Sequence, residues 1–472
     1  MFYIPTAMKK IVTAIFILAA ISLTASAQQG YRLQLCVRGC EGKKVYLGAY
    51  YGYQYYLADS VILDASGNGL MTKEKKPLLP GMYTLVLNQR KSVDFLLSKE
   101  QQVSISTDTA NPYMELHTAG SAELTQYEVY IKEVLALQQQ IVTQEIMLRA
   151  ASADSVIYFR DKIKALITQI RSAGEQRLRV EPNSLLGHYI RLTTEPEPPV
   201  RPLSPSEDLV KDYTKQYRAY TQHYFDNVDL TYEPITRIPA FGNRVGFYFN
   251  RLIVQNPDTI NRCIDSLLKR CEKDKEVYRF VLKYVFQNYY DKAALKPYEA
   301  CFVHICDAYY FTGKAWWTQE KFTKMLKQRV DLIRPTMYGH KAPDLVLKTP
   351  DDRKITLYDV QADYTIVFFY EYDCGYCREV VPQLQKVADE YSSKVKVLAV
   401  YTHADKEKWK EYISQNKLKW INAHDPTKEN KIQTLYNVQK LPCIFLLDKD
   451  KNVIEKKIQI ELLEQMLKKS IR

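Results

Sequence analysis

The chain has 472 residues, 46% apolar and 25% charged, average values for soluble globular proteins that exclude disordered, collagenous and solenoid compositions. Its 66 Lys and Arg against 54 Asp and Glu give a formal charge of +12, but bases alternate with acids and no block of like charge reaches five, so a nucleic-acid or membrane-surface role is not indicated. The length suggests about three domains.

Residues 1–27 read as a secretory signal: Lys9 and Lys10 form a basic start, Ile11 to Leu23 an apolar run, and Ala25-Ser26-Ala27 a cleavage site. The expected mature chain starts at Gln28. The apolar run is short for a membrane span, and no later stretch approaches 18 apolar residues. Membrane contact is therefore expected only if the segment stays uncleaved as an anchor.

Residues 28–112 alternate with period two, as in Val45-x-Leu47-x-Ala49, Tyr83-x-Leu85-x-Leu87 and Val103-x-Ile105, broken by Ser66-Gly67-Asn68-Gly69 and Pro80-Gly81. This predicts a small antiparallel β domain with no catalytic set. Cys36 and Cys40 flank a turn and are expected to be unbridged.

Residues 113–337 change to helical spacing. Leu124, Tyr127, Ile131, Val134, Leu137, Ile141 and Leu148 predict one helix, and a second runs from about Ser155 to Arg179. Five prolines between Glu195 and Ser206 break regular structure. Helices resume with Ser204 as N-cap and Pro205 in the first turn, and again at Asn256-Pro257. Tyr278, Tyr284, Tyr289 and Tyr290, followed by Tyr309, Tyr310, Trp316 and Trp317, are expected to pack between helices rather than form a carbohydrate- or peptide-binding surface. Cys263 and Cys271 lie eight apart on one helix, too far to bridge, and with Cys301 and Cys306 read as core thiols.

The seven histidines show no i, i+4 pair and no HExxH, which argues against a zinc hydrolase. Asp448-x-Asp450-x-Asn452 starts like a calcium loop, but Val453 and Gln459 occupy the positions of its glycine and bidentate glutamate, so a polar β-turn is expected.

Residues 338–472 alternate strand and helix. The expected strands are Ile355 to Tyr358, Thr365 to Tyr370, Val395 to Tyr401, Cys443 to Leu447 and Val453 to Lys457; the helices are Arg378 to Tyr391, Lys406 to Asn416 and Leu462 to Ser470. Cys374-Gly375-Tyr376-Cys377 stands where a continuous apolar strand turns into a helix. A helix start favours the thiolate, the form that attacks disulfides, and the second cysteine lies one turn on. A zinc site would need two further ligands, with Cys443 the only obvious candidate.

Ala342-Pro343-Asp344, the strand Thr365 to Tyr370, Cys374-Gly-Tyr-Cys377, Pro382 and Leu441-Pro442 together resemble the thioredoxin superfamily, and most closely its secreted TlpA/ResA-like thiol-disulfide oxidoreductases. The likeness covers about residues 338–472. It implies an α/β thioredoxin fold after N-terminal accessory domains of unknown function, and a periplasmic protein of the Gram-negative envelope. By the same resemblance Cys374 is the attacking thiol, Cys377 the resolving thiol and Pro442 the cis-proline beside the substrate chain. No cofactor is expected beyond the redox-active Cys374-Cys377 pair. The implied partners are client proteins with disulfides and an upstream thiol-disulfide electron donor.

Three residues depart from the family pattern. Asp373 replaces a common tryptophan, Phe368 stands where thioredoxin has a buried acid, leaving Glu371 as the nearest proton-transfer group, and Cys443 follows the proline where threonine is common. Glu371 and Asp373 place negative charge beside Cys374, which opposes the thiolate and predicts a reductant. A redox-silent adaptor whose preceding residues are the working surface is the competing reading. The Gly-Tyr dipeptide leaves disulfide isomerase as a subsidiary one, whereas the peroxiredoxin signature is absent before Cys374.

Overall fold

The computed structural model describes residues 30–200 and 206–470; the expected signal segment and mature start at Gln28, and the expected cap at Ser204 and Pro205, lie outside the described residues. The chain divides into two compact units, Met1–Ile253 with Leu267–Val281, and Val254–Ser266 with Leu282–Arg472. Residues 282–337 thus belong with the C-terminal sheet, whereas the sequence reading drew its boundary at 337/338.

In the first unit, β1 (Tyr31–Arg38), β2 (Lys44–Tyr51), β3 (Gln54–Ile62), β4 (Asn68–Lys73), β5 (Gly81–Asn88), β6 (Lys91–Leu97), β7 (Gln102–Asp108) and β8 (His117–Ala119) form two sheets, ordered β4-β1-β7-β8 and β3-β2-β5-β6. The pairings are antiparallel except β1 with β7. Alternation decides which side is inside: Tyr31, Leu33, Leu35 and Val37 of β1 are all buried. Gly67 (φ +79°) makes the turn between β3 and β4, where Asp64 accepts from the Ser66 and Asn68 amides at 2.8 Å. Cys36 and Cys40 are free.

Helices follow: α1 (Ala122–Arg149), α2 (Val156–Val180), α3 (Leu185–Thr193), α4 (Glu207–His223) and α5 (Pro239–Phe247). Leu124, Tyr127, Ile131 and Val134 of α1 are buried as their spacing requires. Ser206 caps α4 by accepting from the Leu209 amide, two residues beyond the expected cap. Tyr224 stacks on Tyr248 at 5.7 Å beneath the buried Arg244 guanidinium, 4.7 Å from its ring, so rings here are packing elements. Then come α6 (Pro257–Cys271) and α7 (Lys275–Asp291); Asn256 starts α6, accepting from the Asp258 and Thr259 amides.

The second unit continues with α8 (Glu299–Ile305) and α9 (Glu320–Ile333). Tyr289, Tyr309 and Tyr310 are buried, and Cys301 and Cys306 are free, buried thiols pushed up to about 12 by desolvation. The rest is an α/β thioredoxin domain: strands β9 (Val346–Lys348), β10 (Lys354–Thr356), β11 (Tyr364–Tyr370), β12 (Val395–Tyr401), β13 (Ile421–His424), β14 (Cys443–Leu447) and β15 (Val453–Lys456), with helices α10 (Gly375–Glu390), α11 (Lys406–Gln415), α12 (Ile432–Leu435) and α13 (Ile460–Ser470). The sheet order is β10-β9-β13-β12-β11-β14-β15, with β11, β12 and β13 parallel and β14 antiparallel to β11. The central strand β11 has apolar side chains on both faces. Ile366, Phe368 and Tyr370 pack with Val380 and Leu384 of α10 and Leu463 and Leu467 of α13. Val367 and Phe369 pack with Leu347, Tyr436, Cys443 and Phe445 on the other face. Asp448, Asp450 and Asn452 form a tight turn in which Asp448 accepts from the Asp450 and Asn452 amides, with Lys451 at φ +68°.

The edge strand β15 is not open. Lys296 donates to the Ile454 carbonyl at 2.8 Å, the Tyr338 hydroxyl to Glu455 at 2.8 Å, and Lys456 to Glu299 at 2.6 Å and the Thr336 carbonyl at 3.0 Å. The helical residues just upstream thereby cover it.

Trp409 of α11 is fully buried, stacks on Tyr401 at 5.4 Å and donates from Nε1 to the Tyr370 hydroxyl at 2.9 Å. Trp409→Ala is expected to cost about 3–5 kcal/mol, read as a lowered denaturation midpoint of the second unit; an unchanged midpoint would refute its role in the core.

Candidate active site

Strand β11 ends in the core at Tyr370, and the chain emerges through Glu371, Tyr372 and Asp373 before α10 begins at Gly375. Cys374 is the N-cap, extended at φ −73° and ψ 111°, and its Sγ accepts from the Cys377 amide at 3.1 Å. A first-turn amide has no intrahelical acceptor, so the sulfur fills the role a serine oxygen fills at an ordinary cap. The helix therefore starts three residues before the expected Arg378, because the dithiol motif itself forms the first turn.

Cys374 and Cys377 are joined in a disulfide with Cα atoms 5.2 Å apart, a normal spacing for such a bridge. The two sulfurs differ in access: Cys374 is half-buried, whereas Cys377 is 0% exposed. The Leu441–Pro442 peptide is cis, and the Leu441 carbonyl oxygen stands 3.7 Å from Cys374 Sγ. Beside the disulfide, Asp373 and Tyr376 are exposed, and Tyr372 stacks on Tyr401 at 6.1 Å.

Cys374, Cys377 and the Leu441-Pro442 turn are thus brought together. Glu371 stands apart from them in its bonding: its carboxylate accepts from the Thr402 hydroxyl at 2.7 Å. Thr402 carried no sequence signal. It meets Glu371 because β11 and β12 run parallel with Tyr370 opposite Tyr401, a register that periodicity along either strand does not encode.

Cys443 is a free thiol, 4% exposed, pushed up to about 11 by burial despite the Lys457 ammonium that pulls the other way. It pairs in register with Phe369 and packs on the sheet face opposite the one holding Cys377. Alternation along β14 sends it away from the disulfide. Among the described residues no group of three His, Cys, Asp or Glu could hold a metal ion, and no helix is long and apolar enough to cross a membrane.

In the reduced protein at pH 8, iodoacetamide is expected to label Cys374 first and leave Cys443 unmodified, since a thiol with a pKa of about 11 is ionised there to about one part in a thousand. Mass spectrometry of the alkylated peptides checks this; labelling of Cys443 at a comparable rate would contradict the assigned burial.

The AhpC/TSA family model matches residues 338–456. The chain is 31% identical over 129 residues to the thiol-disulfide oxidoreductase ResA of Bacillus cereus, an overlap covering 27% of this chain and 73% of that protein. It is also 31% identical over 124 residues to the thioredoxin-like protein YneN of Bacillus subtilis, covering 25% and 68%. Among solved structures, a thioredoxin-like protein from Bacteroides caccae is similar with 21% identity and a TM-score of 0.39, covering 58% of this chain and 97% of the other.

Proposed function

Because the chain belongs, through its C-terminal region, to the ResA-type thiol-disulfide oxidoreductases, we propose that it works in the periplasm as a protein-disulfide reductant, with Cys374 as nucleophile and Cys377 as resolving thiol. The observation that carries the assignment is the unequal access of the two sulfurs, with Cys374 half-buried and Cys377 wholly buried. An incoming protein can meet only the first.

The reaction needs no cofactor beyond the cysteine pair. The Cys374 thiolate attacks one sulfur of a client disulfide, forming a mixed disulfide and expelling the other client sulfur as a thiolate. Cys377 then gives up its proton and attacks Cys374, releasing the second client thiolate and closing the Cys374–Cys377 disulfide. Two electrons pass to the client, and an upstream dithiol must return two. Glu371, held by Thr402, is our candidate acceptor for the Cys377 proton, and the backbone around Pro442 is our candidate contact for the client chain.

The reducing direction rests on what surrounds the attacking sulfur. The Cys377 amide at 3.1 Å favours its thiolate. Against that, the Leu441 carbonyl 3.7 Å away can accept only from the protonated thiol, and Asp373 and Glu371 add negative charge next in sequence. A dithiol whose thiolate is poorly stabilised parts with its electrons more readily.

Cys374→Ser is expected to abolish reduction of insulin, and Cys377→Ser to accumulate mixed disulfides with clients; wild-type insulin reduction by Cys374→Ser would eliminate the assigned nucleophile. Glu371→Gln should slow mixed-disulfide resolution by roughly a hundredfold without slowing Cys374 alkylation, since the substitution removes a charge that opposes the Cys374 thiolate. A glutathione redox titration is expected to give a potential near about −270 mV, and a value above about −150 mV would reverse the direction. A pair that does not cycle at all would favour the adaptor reading.

A further inference from the structure

A cleft of about 430 Å³ opens within the second unit, on residues that the disulfide chemistry does not use. Its size is in the range of small-molecule sites. Arg329, Lys456 and Lys457 face it together with the single acid Glu299.

The charges do not cancel. Glu299 is 2% exposed, and its two oxygens are taken by the Tyr338 amide at 2.7 Å and the Lys456 ammonium at 2.6 Å. That pair is closed on itself. Among the described residues neither Arg329 nor Lys457 has a carboxylate within ion-pair distance, so the cleft keeps two uncompensated positive charges.

Arg329 is also fixed in place. Its guanidinium lies 4.0 Å over the Tyr290 ring and 5.1 Å from that of Phe302, and one of its five N–H groups donates to the Tyr290 carbonyl at 3.1 Å. A guanidinium held over an aromatic ring with donors left over presents a planar fork, the shape that matches a carboxylate in two-point contact. Thr336, Tyr338 and Asn437 add polar groups to the wall, and Ala293, Leu332 and Ile333 give it a hydrocarbon face. A purely inorganic anion would leave that wall wet.

We propose that this cleft binds a small organic carboxylate with a short apolar body, its carboxylate on Arg329 and Lys457 and its hydrocarbon against Leu332 and Ile333. The site is separate from the disulfide, and its occupant is a ligand rather than a substrate of the exchange reaction.

Hexanoate is the probe, titrated calorimetrically into the full chain, with hexanamide as its uncharged isostere and inorganic phosphate as the anion without an apolar body. The expected result is saturable hexanoate binding with one site per chain, at least tenfold tighter than hexanamide or phosphate. Arg329→Gln and, as an exposed position whose loss leaves packing intact, Lys457→Gln should each weaken hexanoate about tenfold, equivalent to about 1.4 kcal/mol, with insulin reduction unchanged. The proposal is overturned if hexanoate does not saturate, if hexanamide or phosphate binds equally well, or if Lys457→Gln and Arg329→Gln, both folded by circular dichroism, bind hexanoate like the parent protein.

Discussion

The structure of the second unit depends on one strand being apolar on both faces. Every residue from Thr365 to Tyr370 is fully buried, so β11 has no freedom to slide: moving it by one residue would exchange the sets packed against α10 and against Tyr436 and Phe445. That fixes where the chain must leave the core. The three residues after Tyr370 carry a carboxylate, a phenol and a second carboxylate, none fully buried, and the first turn of α10 follows at once. The disulfide is therefore positioned by hydrophobic burial a strand's length away, and the cysteines inherit a geometry they do not themselves impose.

The two faces of the sheet then separate the thiols by role. Cys377 points into the layer with Phe368 and Tyr370, and Cys443, although one residue past Pro442, points into the other. Neighbours in sequence need not share an environment when they flank a strand. The same alternation explains why a threonine-to-cysteine departure beside the proline can be accommodated without creating a competing redox partner: the β14 backbone lies between the sulfur of Cys443 and the exchange chemistry.

Much of this was legible in the amino-acid pattern, and the reasons are specific. Strands β11 and β14 are continuous apolar runs, β12 is apolar but for Lys396, and α1 and α2 show long helical spacing, so their limits fell within a few residues of those observed. The tight turn at Asp448 followed from side chains that satisfy their own backbone. Elements stabilised chiefly by tertiary pairing were not legible. Strand β9 has three residues, β13 four, and α12 is a single turn, too short for any period to register. The parallel pairing of β1 with β7 joins strands far apart in the chain, and nothing local announces it. At the site, the cysteine pair and the proline were visible as a motif, whereas Thr402 and the Trp409 stack were invisible because they depend on register between strands and on a helix docking across them.

The covering of β15 bears on how this molecule is partitioned. A thioredoxin fold is commonly thought of as a cassette that can be lifted from one chain and placed in another. Here the last strand of the sheet borrows its closure from Lys296 and Glu299, which precede the matched family segment, and from Tyr338, its first residue. Excision at residue 338 would strand the Lys456 ammonium without its counter-ion and uncover the Ile454 carbonyl that Lys296 caps. The heritable unit, in the sense of the shortest stretch that keeps its own edges sealed, is longer than the stretch that carries the chemistry, and the helices upstream of the sheet are part of it.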